Sequence, residues 1–553
     1  MNYLFGKYGV TIPEILMPAN GIDLTKWSVI ACDQYTSQPD YWQKVKDEAG
    51  SSPSTLHLTF PEIYLKDHDA DSRIQKINEA MTRYLNEGIL EQQTPGFVLV
   101  DRSTPHAASR KGLIIAVDLE CYDYREGSQT LIRATEGTVL DRIPPRVKIR
   151  ENAPIELPHI MLLIDDPEKT VIEPLFKRTA DYHKLYDFDL MQGGGHIRGW
   201  KVEDTESLTQ ISSALEKLAV SAAGSSSQGD VSEGQGDISS DQRDSSSASV
   251  MLFAAGDGNH SLASAKAHWE NVKAALINNP AGTQGTASNC LENEGTDAAN
   301  AVNDTVDTDA TASSCIPDHP ARYALVEVVN VHDEGLVFEP IHRVLFGIDS
   351  TTILESLKSL YEHSTNSQSK MEYTLYDSKS SLEAAIKAAM DVTARTAAMN
   401  MAAMKTGMDG TARTAADTST ANAAEAGMKV TAESSAESAF CSSSRHLLPF
   451  IMEGTYGLIT IHNPSLSLEV GTLQNLLDEL VKTNKNIEVD YIHGDSVVTE
   501  LGSQKNCMGF YLPVMDKHDL FRTVICDGVL PRKTFSMGEA EEKRYYLECR
   551  KIK

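Results

Sequence analysis

Residues 250–270, VMLFAAGDGNHSLASAKAHWE, contain the pattern from which the fold is predicted. The apolar run VMLFAA predicts a buried strand that stops at Gly256. From about Ser261 onward, apolar residues recur at the spacing of a helix. They are Leu262, Ala265, Trp269, Val272 and Leu276. The stretch therefore predicts a strand followed at once by a helix, joined by the polar turn GDGNH.

Similar strand and helix signals extend over most of the chain. Helical periodicity recurs at 72–90 and 207–219. The two kinds of element mix without strict alternation, which favours an α/β or α+β fold with a mixed sheet and flanking helices. Further strand-like apolar runs lie at 27–33, 97–103, 112–120, 160–166, 324–331, 456–462 and near 508–512.

Three low-complexity segments interrupt this pattern, at about 221–248, 278–316 and 392–445. They are rich in small and polar residues, and such segments bury too little apolar area to offset the entropy of ordering. The sequence on either side of each segment reads as continuous secondary structure. We therefore expect one domain over residues 1–553, decorated by three disordered inserts.

Composition restricts the class of protein. The 553 residues carry a formal net charge of −28, which disfavours binding to nucleic acid or to anionic membranes. The eight cysteines form no CxxC pair, and neither a signal peptide nor an 18-residue apolar run is apparent. P-loop, GxGxxG, HExxH and GxSxG motifs are absent. We expect a cytoplasmic protein whose partners are small molecules.

The GDGNH turn has the chemistry of an anion site. Its two glycines permit positive φ and close approach of a ligand, and the free N–H groups of the following helix favour negative charge. A carboxylate would repel phosphate, so Asp257 fits a base or a metal ligand better. An ordinary strand–turn–helix connection explains the same residues. The candidate binding residues are Gly256, Gly258, Asn259 and Ser261, and the candidate catalytic residues are Asp257 and His260.

Four other stretches contain polar groups suited to a site. Residues 133–151 concentrate arginines, which suit bidentate phosphate recognition, around Glu136. Residues 329–346 hold histidines and carboxylates that could bind a metal, although without helical i, i+4 spacing an anion contact is favoured. Cys32 is a nucleophile or, alternatively, a buried structural thiol. From these stretches and from QGGGHIRGW (192–200), Glu136 is a third catalytic candidate, and the candidate binding residues are Arg142, Arg146, His196, Arg198, His342, Arg343, Asp33 and Gln34.

Several blocks together resemble one known family, the domain of unknown function family 1015. They include WSVIACDQYTSQPDYW, RATEGT, PHIMLLIDDP, GDGNHSLASAKAHWE and LPRKTFSMGEAEEKRYYLECRKI. Many relatives carry Asp-Gly-His-His-Arg where this chain has Asp257-Gly258-Asn259-His260-Ser261, a DGNHS form. The resemblance implies that another arginine replaces the lost phosphate contact, with Arg142, Arg146 and Arg343 as candidates.

The same turn is similar to the phosphate-binding motif of ParB-like and sulfiredoxin-like domains. That superfamily includes nucleotide hydrolases and a free-serine kinase that uses ADP. The similarity implies a phosphate-binding core of that kind, with Mg²⁺ and ATP or ADP as possible cofactors and serine or phosphoserine as substrate.

These observations favour an enzyme that handles phosphate, either a phosphotransferase or a phosphohydrolase, acting on a small metabolite. In this hypothesis Asp257 activates the acceptor or holds Mg²⁺, and His260 and the arginines stabilise charge on the transferring group. A non-catalytic sensor of nucleotides or phosphometabolites would use the same cradle without a base. A scaffold that works through its acidic inserts is the third interpretation.

Overall fold

The computed structural model describes residues 2–36, 38–65, 67–226, 250–278, 318–364, 369–391 and 445–553. The three predicted inserts lie almost wholly outside these ranges. The first six residues of the first insert, 221–226, are helical and extend the helix predicted at 207–219. None of the helices in these ranges is long and apolar enough to cross a bilayer.

The helices fall at most of the predicted places. The helix predicted at 72–90 spans Ala70–Asn86, and the helix after the GDGNH turn begins at Asn259, two residues earlier than expected. The helices are α1 (Leu24–Trp27), α2 (Pro39–Ala49), α3 (Ala70–Asn86), α4 (Ile143–Glu151), α5 (Thr205–Ser226), α6 (Asn259–Asn278), α7 (Ile353–Ser364), α8 (379–391), α9 (Glu469–Thr483), α10 (Asp495–Gly502) and α11 (Leu520–Asp527).

Most strands form two sheets. The run at 27–33 was predicted to be a strand, but its only ladder contact is an isolated bridge at Ile30. The strands are β1 (Val10–Thr11), β2 (Leu16–Pro18), β3 (Leu90–Gln92), β4 (Phe97–Ser103), β5 (Arg110–Asp118), β6 (Tyr122–Asp123), β7 (Ile132–Ala134), β8 (Ile155–Glu156), β9 (Met161–Ile164), β10 (His183–Asp189), β11 (His196–Val202), β12 (Phe253–Asp257), β13 (Tyr323–Asn330), β14 (Phe338–Pro340), β15 (His342–Phe346), β16 (Lys370–Tyr376), β17 (Arg445–Met452), β18 (Thr455–His462), β19 (Glu488–Ile492), β20 (Cys507–Phe510), β21 (Phe535–Met537) and β22 (Arg550–Lys551).

The larger sheet has ten strands in the order β10-β11-β4-β5-β13-β9-β12-β7-β6, with β1 beside β5. The pairs β12–β7, β7–β6 and β13–β9 are parallel, and the other pairs are antiparallel. The second sheet has six antiparallel strands in the order β16-β18-β17-β20-β15-β19. The prediction of an α/β or α+β fold with a mixed sheet is confirmed.

The larger sheet separates two apolar cores because successive strand residues face opposite ways. Leu99 and Leu113 pack on the face covered by α5 and α6, and Val98 and Ile114 pack on the opposite face. That opposite core contains α3 and the C-terminal segment Tyr545–Ile552.

The C-terminal segment runs through the interior and is held there by buried charges. Arg102 donates to the carbonyls of Glu541, Glu542 and Lys543, at 2.5, 3.0 and 2.5 Å. Arg544 pairs with Glu327 and, at 2.6 Å, with Glu548. These bonds fix the direction in which the Lys543 side chain leaves the segment.

Candidate functional site

The GDGNH turn lies where two parallel strands end. Because β7 and β12 run in the same direction, the residues after β7 come next to the start of α6. The amide groups of Asn259, His260 and Ser261 have no hydrogen-bond acceptor among the described residues. Free amides and the dipole at a helix N-terminus favour negative charge beside this turn.

The two glycines of the turn have different roles. Gly258 has φ of +76°, and a Cβ there would lie 3.0 Å from Ile160 Cα, so the turn requires glycine. Gly256 has no positive φ, although the sequence suggested one. The position holds glycine because a Cβ there would lie only 2.5 Å from Met537 Sδ and 2.8 Å from Leu163 Cγ. Gly256 therefore serves packing.

Replacement of Gly258 by alanine should lower the free energy of unfolding by about 1 to 3 kcal/mol. The left-handed backbone would carry a side chain that also presses on Ile160. Gly137 provides the control, because a Cβ there meets nothing within 4 Å. Urea titration measures both variants, and Gly137→Ala should change the free energy of unfolding by less than about 0.5 kcal/mol. Equal losses for both variants would contradict the assigned strain.

Asn259 joins the two strand ends instead of facing a ligand. Its Oδ1 accepts the Thr135 N–H at 3.3 Å, and its Nδ2 donates to the Ala255 carbonyl at 3.2 Å. Both Asn259 and Thr135 are buried. The sequence-based assignment of Asn259 as a ligand contact is thus replaced by a structural role.

His260 is held as a neutral ring. Its Nε2 accepts the Val139 N–H at 3.2 Å, which leaves the ring proton on Nδ1. Burial, together with the positive charges of Arg146 and Arg142, lowers the pKa of His260 to about 4. The ring can donate a hydrogen bond to a ligand, but near neutral pH it does not supply the positive charge that the sequence analysis assigned to it.

The low pKa of His260 predicts a pH dependence of stability. The unfolded ring binds a proton at its ordinary pKa of 6.5, but the native ring does so only near 4. Between these values the unfolded state binds more protons, so stability falls as the pH falls from about 6.5 to 4. His260→Gln should flatten this decline in urea titrations repeated across that range.

His106 offers a control of opposite sign. It is exposed, and the hydrogen bond that its Nε2 donates to Glu541 raises its pKa, so it favours the folded state at low pH. His106→Gln should not flatten the decline. A decline of unchanged slope in the His260 variant would contradict the neutral-ring assignment.

Two lysines from the C-terminal region complete the positive surroundings. Lys543 Nζ lies 3.2 Å from Asp257 Oδ2, while Asp257 Oδ1 accepts the Gly258 N–H at 2.9 Å. The Lys533 N–H donates to Glu136 Oε1 at 3.2 Å. Burial, aided by the negative charge of Asp257, raises the pKa of Glu136 against the opposing charges of Lys533 and Lys543.

The predicted arginines lie on the other side of the turn. The charges of Arg142, Arg146 and Lys533 all act on the His260 ring. Arg142 is exposed, whereas Arg146 pairs with Glu62 and donates to the Arg142 carbonyl at 2.8 Å. We name these groups the candidate anion site, called the anion site below: the amides of residues 259–261 and the side chains of Arg142, Arg146, Lys533 and Lys543.

A chain of side chains leads from α6 into an adjoining cavity. Ser261 Oγ lies 3.1 Å from His159 Nε2, and His159 Nδ1 lies 2.8 Å from the Tyr546 hydroxyl. The Asp33 carboxylate is 3.8 Å from His159 Nε2. Although burial opposes ionisation of Asp33, the charge of His159 and a hydrogen bond from Gln34 lower its pKa. The cavity has a volume of about 150 Å³, and Ser261, His159 and Tyr546 line it together with apolar residues and the charged side chains of Glu62, Arg146, Arg150 and Glu156.

The family model described as protein of unknown function (DUF1015) matches residues 16–401, well over half of the chain. The chain belongs to the DUF1015 family. No curated protein and no solved structure matches it. The DUF1015 match includes Glu136, His159 and the GDGNH turn, whereas Lys533, Lys543 and Tyr546 lie beyond its end.

Four predicted residues of this DUF1015 protein lie apart from the anion site or are fully engaged. His196, on β11, pairs with Asp187 and Asp189 of β10, and Arg198, also on β11, pairs with Asp101. Four strands separate β11 from β12. At about 4.8 Å per strand the gap is roughly 24 Å, so neither His196 nor Arg198 reaches the turn.

The other two are His342 and Arg343. Neighbouring strand residues face opposite ways, and His342 contacts Leu512 N–H and Asp495 on its own side. Arg343 is buried and donates to the carbonyls of Lys533, at 2.9 Å, and Arg532, at 3.1 Å. Arg343 thus supports the loop that carries Lys533, and the phosphate contact proposed for it is not available.

Sequence reasoning missed His159, Lys533, Lys543 and Tyr546. The blocks PHIMLLIDDP and LPRKTFSMGEAEEKRYYLECRKI contain them, and these blocks predict a strand at 160–166 and support the family resemblance without indicating a site. A lysine or histidine in a short block gives no sign of its spatial partner. The pair His159–Tyr546 spans 387 residues, a separation that no local pattern encodes.

Metal ligation by protein side chains alone has no support in the described ranges. They contain no group of three or more His, Cys, Asp or Glu side chains arranged to hold a metal ion. Mg²⁺ commonly binds through one or two carboxylates together with substrate phosphates, and Asp257 could serve in that way. Cys32 fits the structural alternative, because burial raises the pKa of its thiol.

Proposed function

We propose that this DUF1015 protein is a phosphate-handling enzyme, a phosphotransferase or phosphohydrolase that acts on a small phosphorylated metabolite. One observation carries the proposal: within the described ranges, four cationic side chains and three amides without an acceptor lie around one turn in a protein of net charge −28. Two of the cations, Arg146 and Lys543, also pair with the carboxylates of Glu62 and Asp257. Against an acidic background, such a positive patch favours a small anion over nucleic acid or an anionic membrane.

The groups divide into binding and proton-transfer roles. Backbone amides at a helix N-terminus suit phosphate oxygens, and lysine and arginine neutralise the remaining charge. Asp257 orients Lys543 and is a carboxylate that could hold Mg²⁺ beside the phosphate; when bound, that ion would withdraw charge from the phosphoryl oxygens. Glu136, with its raised pKa, suits transfer of a proton to or from the reacting oxygen.

The size of the site limits the substrate. The adjoining cavity of about 150 Å³ holds a group of only a few heavy atoms, on the scale of benzene. The similarity of the Asp257–Ser261 turn to ParB-like and sulfiredoxin-like motifs makes serine and phosphoserine the first substrates to test, with ATP or ADP as the nucleotide.

The deciding experiment compares binding and turnover in the full-length chain. Calorimetry with inorganic phosphate and with phosphoserine should give binding that Lys543→Met weakens about 10- to 100-fold, because a charge-assisted hydrogen bond contributes about 1.5 to 3 kcal/mol. Lys551→Met is the matched control: it removes one charge from an exposed lysine whose Nζ reaches Gln92 at 3.4 Å.

Turnover of phosphoserine, or transfer from ATP or ADP to serine, is then measured with and without Mg²⁺. Release or transfer of phosphate that depends on Lys543 supports the enzyme. Binding that depends on Lys543 without turnover would instead support the sensor. Absence of phosphate and phosphoserine binding in the wild type would reject both.

A further inference from the structure

We propose that Ser261 is the nucleophile that first accepts the phosphoryl group, with His159 as its base. The inference rests on the proposed function and specifies how the same site would work. It assigns a covalent phosphoserine intermediate to a residue that the sequence marked only as a binding group.

The contacts among three side chains support this assignment. A serine nucleophile requires a base within hydrogen-bond reach, and that base is usually oriented by a third group. Ser261 Oγ lies 3.1 Å from His159 Nε2, and the Tyr546 hydroxyl lies 2.8 Å from His159 Nδ1. His159 and Tyr546 are both at least nine-tenths buried, so their positions are fixed by packing.

The Tyr546 hydroxyl can select the required tautomer. Its oxygen accepts the Cys32 N–H at 3.2 Å and has a second lone pair for the His159 Nδ1 proton. In the neutral ring, with its proton on Nδ1, the lone pair of Nε2 is directed at the Ser261 hydroxyl. The Asp33 carboxylate, 3.8 Å from the same nitrogen, stabilises the positive charge that His159 carries once it has taken the serine proton. Tyr546 is thus a positioning residue for the base.

The surroundings of Ser261 suit attack on phosphorus. Ser261 is the third residue of α6, and its own amide is one of the three without an acceptor, so a phosphoryl group on Oγ would lie beside the helix N-terminus. Ser261 also lines the cavity of about 150 Å³. The nucleophile, the anion site and a space for the rest of the substrate therefore adjoin one another.

The proposed reaction is a double displacement at the phosphorus of a phosphomonoester. In the first step Oγ bonds to phosphorus, its proton passes to His159 Nε2, and the bond from phosphorus to the substrate oxygen breaks. The departing oxygen takes a proton from the Glu136 carboxyl. In the second step water attacks phosphorus and gives its proton to Glu136, while Oγ departs with the proton from His159. An alcohol in place of water would complete a transfer.

Labelling with diisopropyl fluorophosphate tests the nucleophile without a known substrate. Peptide mass spectrometry should find the label on Ser261 in the wild type and not in Ser261→Ala. His159→Gln should slow labelling about 10²-fold or more, since the base is lost. Ser264→Ala is the matched control: Ser264 lines the same cavity one turn later, but its Oγ donates to the His260 carbonyl at 2.7 Å. Its labelling rate should stay at the wild-type value.

A second measurement uses phosphoserine itself. Acid quenching during turnover should trap one phosphoryl group on Ser261, and Tyr546→Phe should lower kcat while leaving KM nearly unchanged. A wild type that turns over phosphoserine, yet shows no label or phosphoryl group on Ser261 and tolerates Ser261→Ala, would overturn this inference while leaving the proposed function intact. Failure to bind phosphate at all would overturn both. Thermal melting of each variant shows that it is folded.

Discussion

Glu136→Gln should slow the hydrolysis of phosphoserine about 10²- to 10⁴-fold while leaving the affinity for inorganic phosphate nearly unchanged. The expected loss is that of a general acid, whose proton the departing alkoxide needs. Burial raises the pKa of Glu136, which keeps a proton on this carboxyl at a higher pH than an exposed glutamate would allow. The amide of glutamine fills the same space but cannot supply that proton.

The choice of leaving group sharpens this test. p-Nitrophenolate departs without much help from an acid, so the variant should lose far less activity on p-nitrophenyl phosphate than on phosphoserine. Glu339→Gln is the control, because burial likewise raises the pKa of Glu339, whose charged neighbours are Glu539, Glu542 and His106 instead of the anion-site residues. Equal losses of the Glu136 variant on both substrates would argue against the acid role.

Glu327→Gln should lower the free energy of unfolding by about 3 to 5 kcal/mol, the usual cost of removing one partner from a buried charge network. Glu327 is 2% exposed, pairs with Arg544 and lies 3.8 Å from Arg110. Although burial opposes ionisation of Glu327, the charges of Arg544 and Arg110 outweigh it and lower its pKa. Loss of the carboxylate would leave both guanidinium groups without their shared partner.

Urea titration followed by tryptophan fluorescence measures this loss. The control is Glu216→Gln, which breaks an exposed pair of 2.8 Å with Lys7 and should shift the urea midpoint far less than Glu327→Gln does. A similar shift of the urea midpoint for both variants would show that the buried network contributes no more than a surface pair.

The elements that the sequence predicts well are those with strong local patterns. The strand–turn–helix around the GDGNH turn, the helix at Ala70–Asn86 and most sheet strands follow from apolar periodicity. The run at 27–33 fails because its apolar residues are buried against the C-terminal segment, where Ala31 N–H donates to the Arg544 carbonyl at 2.9 Å. An apolar run indicates that a segment is buried, but it does not distinguish a strand of a sheet from an irregular buried segment.

The site could be predicted only in part. Residue types near the turn indicated Asp257, Glu136 and the arginines, because these lie within or just after elements that end at one sheet edge. Asn259 links two strand ends, whereas Ser261 contacts His159. The sequence does not predict this difference, since both are small polar residues at the start of one helix. Lys543 is distant in sequence from its partner Asp257, so their contact can be recognised only in the folded structure.

The path of the C-terminal segment has a consequence for biosynthesis. Residues leave the ribosome in sequence order, so Glu327 is exposed long before Arg544, which follows it by 217 residues. Until Arg544 emerges, the Glu327 carboxylate has Arg110 nearby but lacks its second cationic partner, and Asp257 likewise lacks Lys543. All ten strands of the larger sheet lie before residue 331, so these charges gain their late partners only after every strand of that sheet has been synthesised.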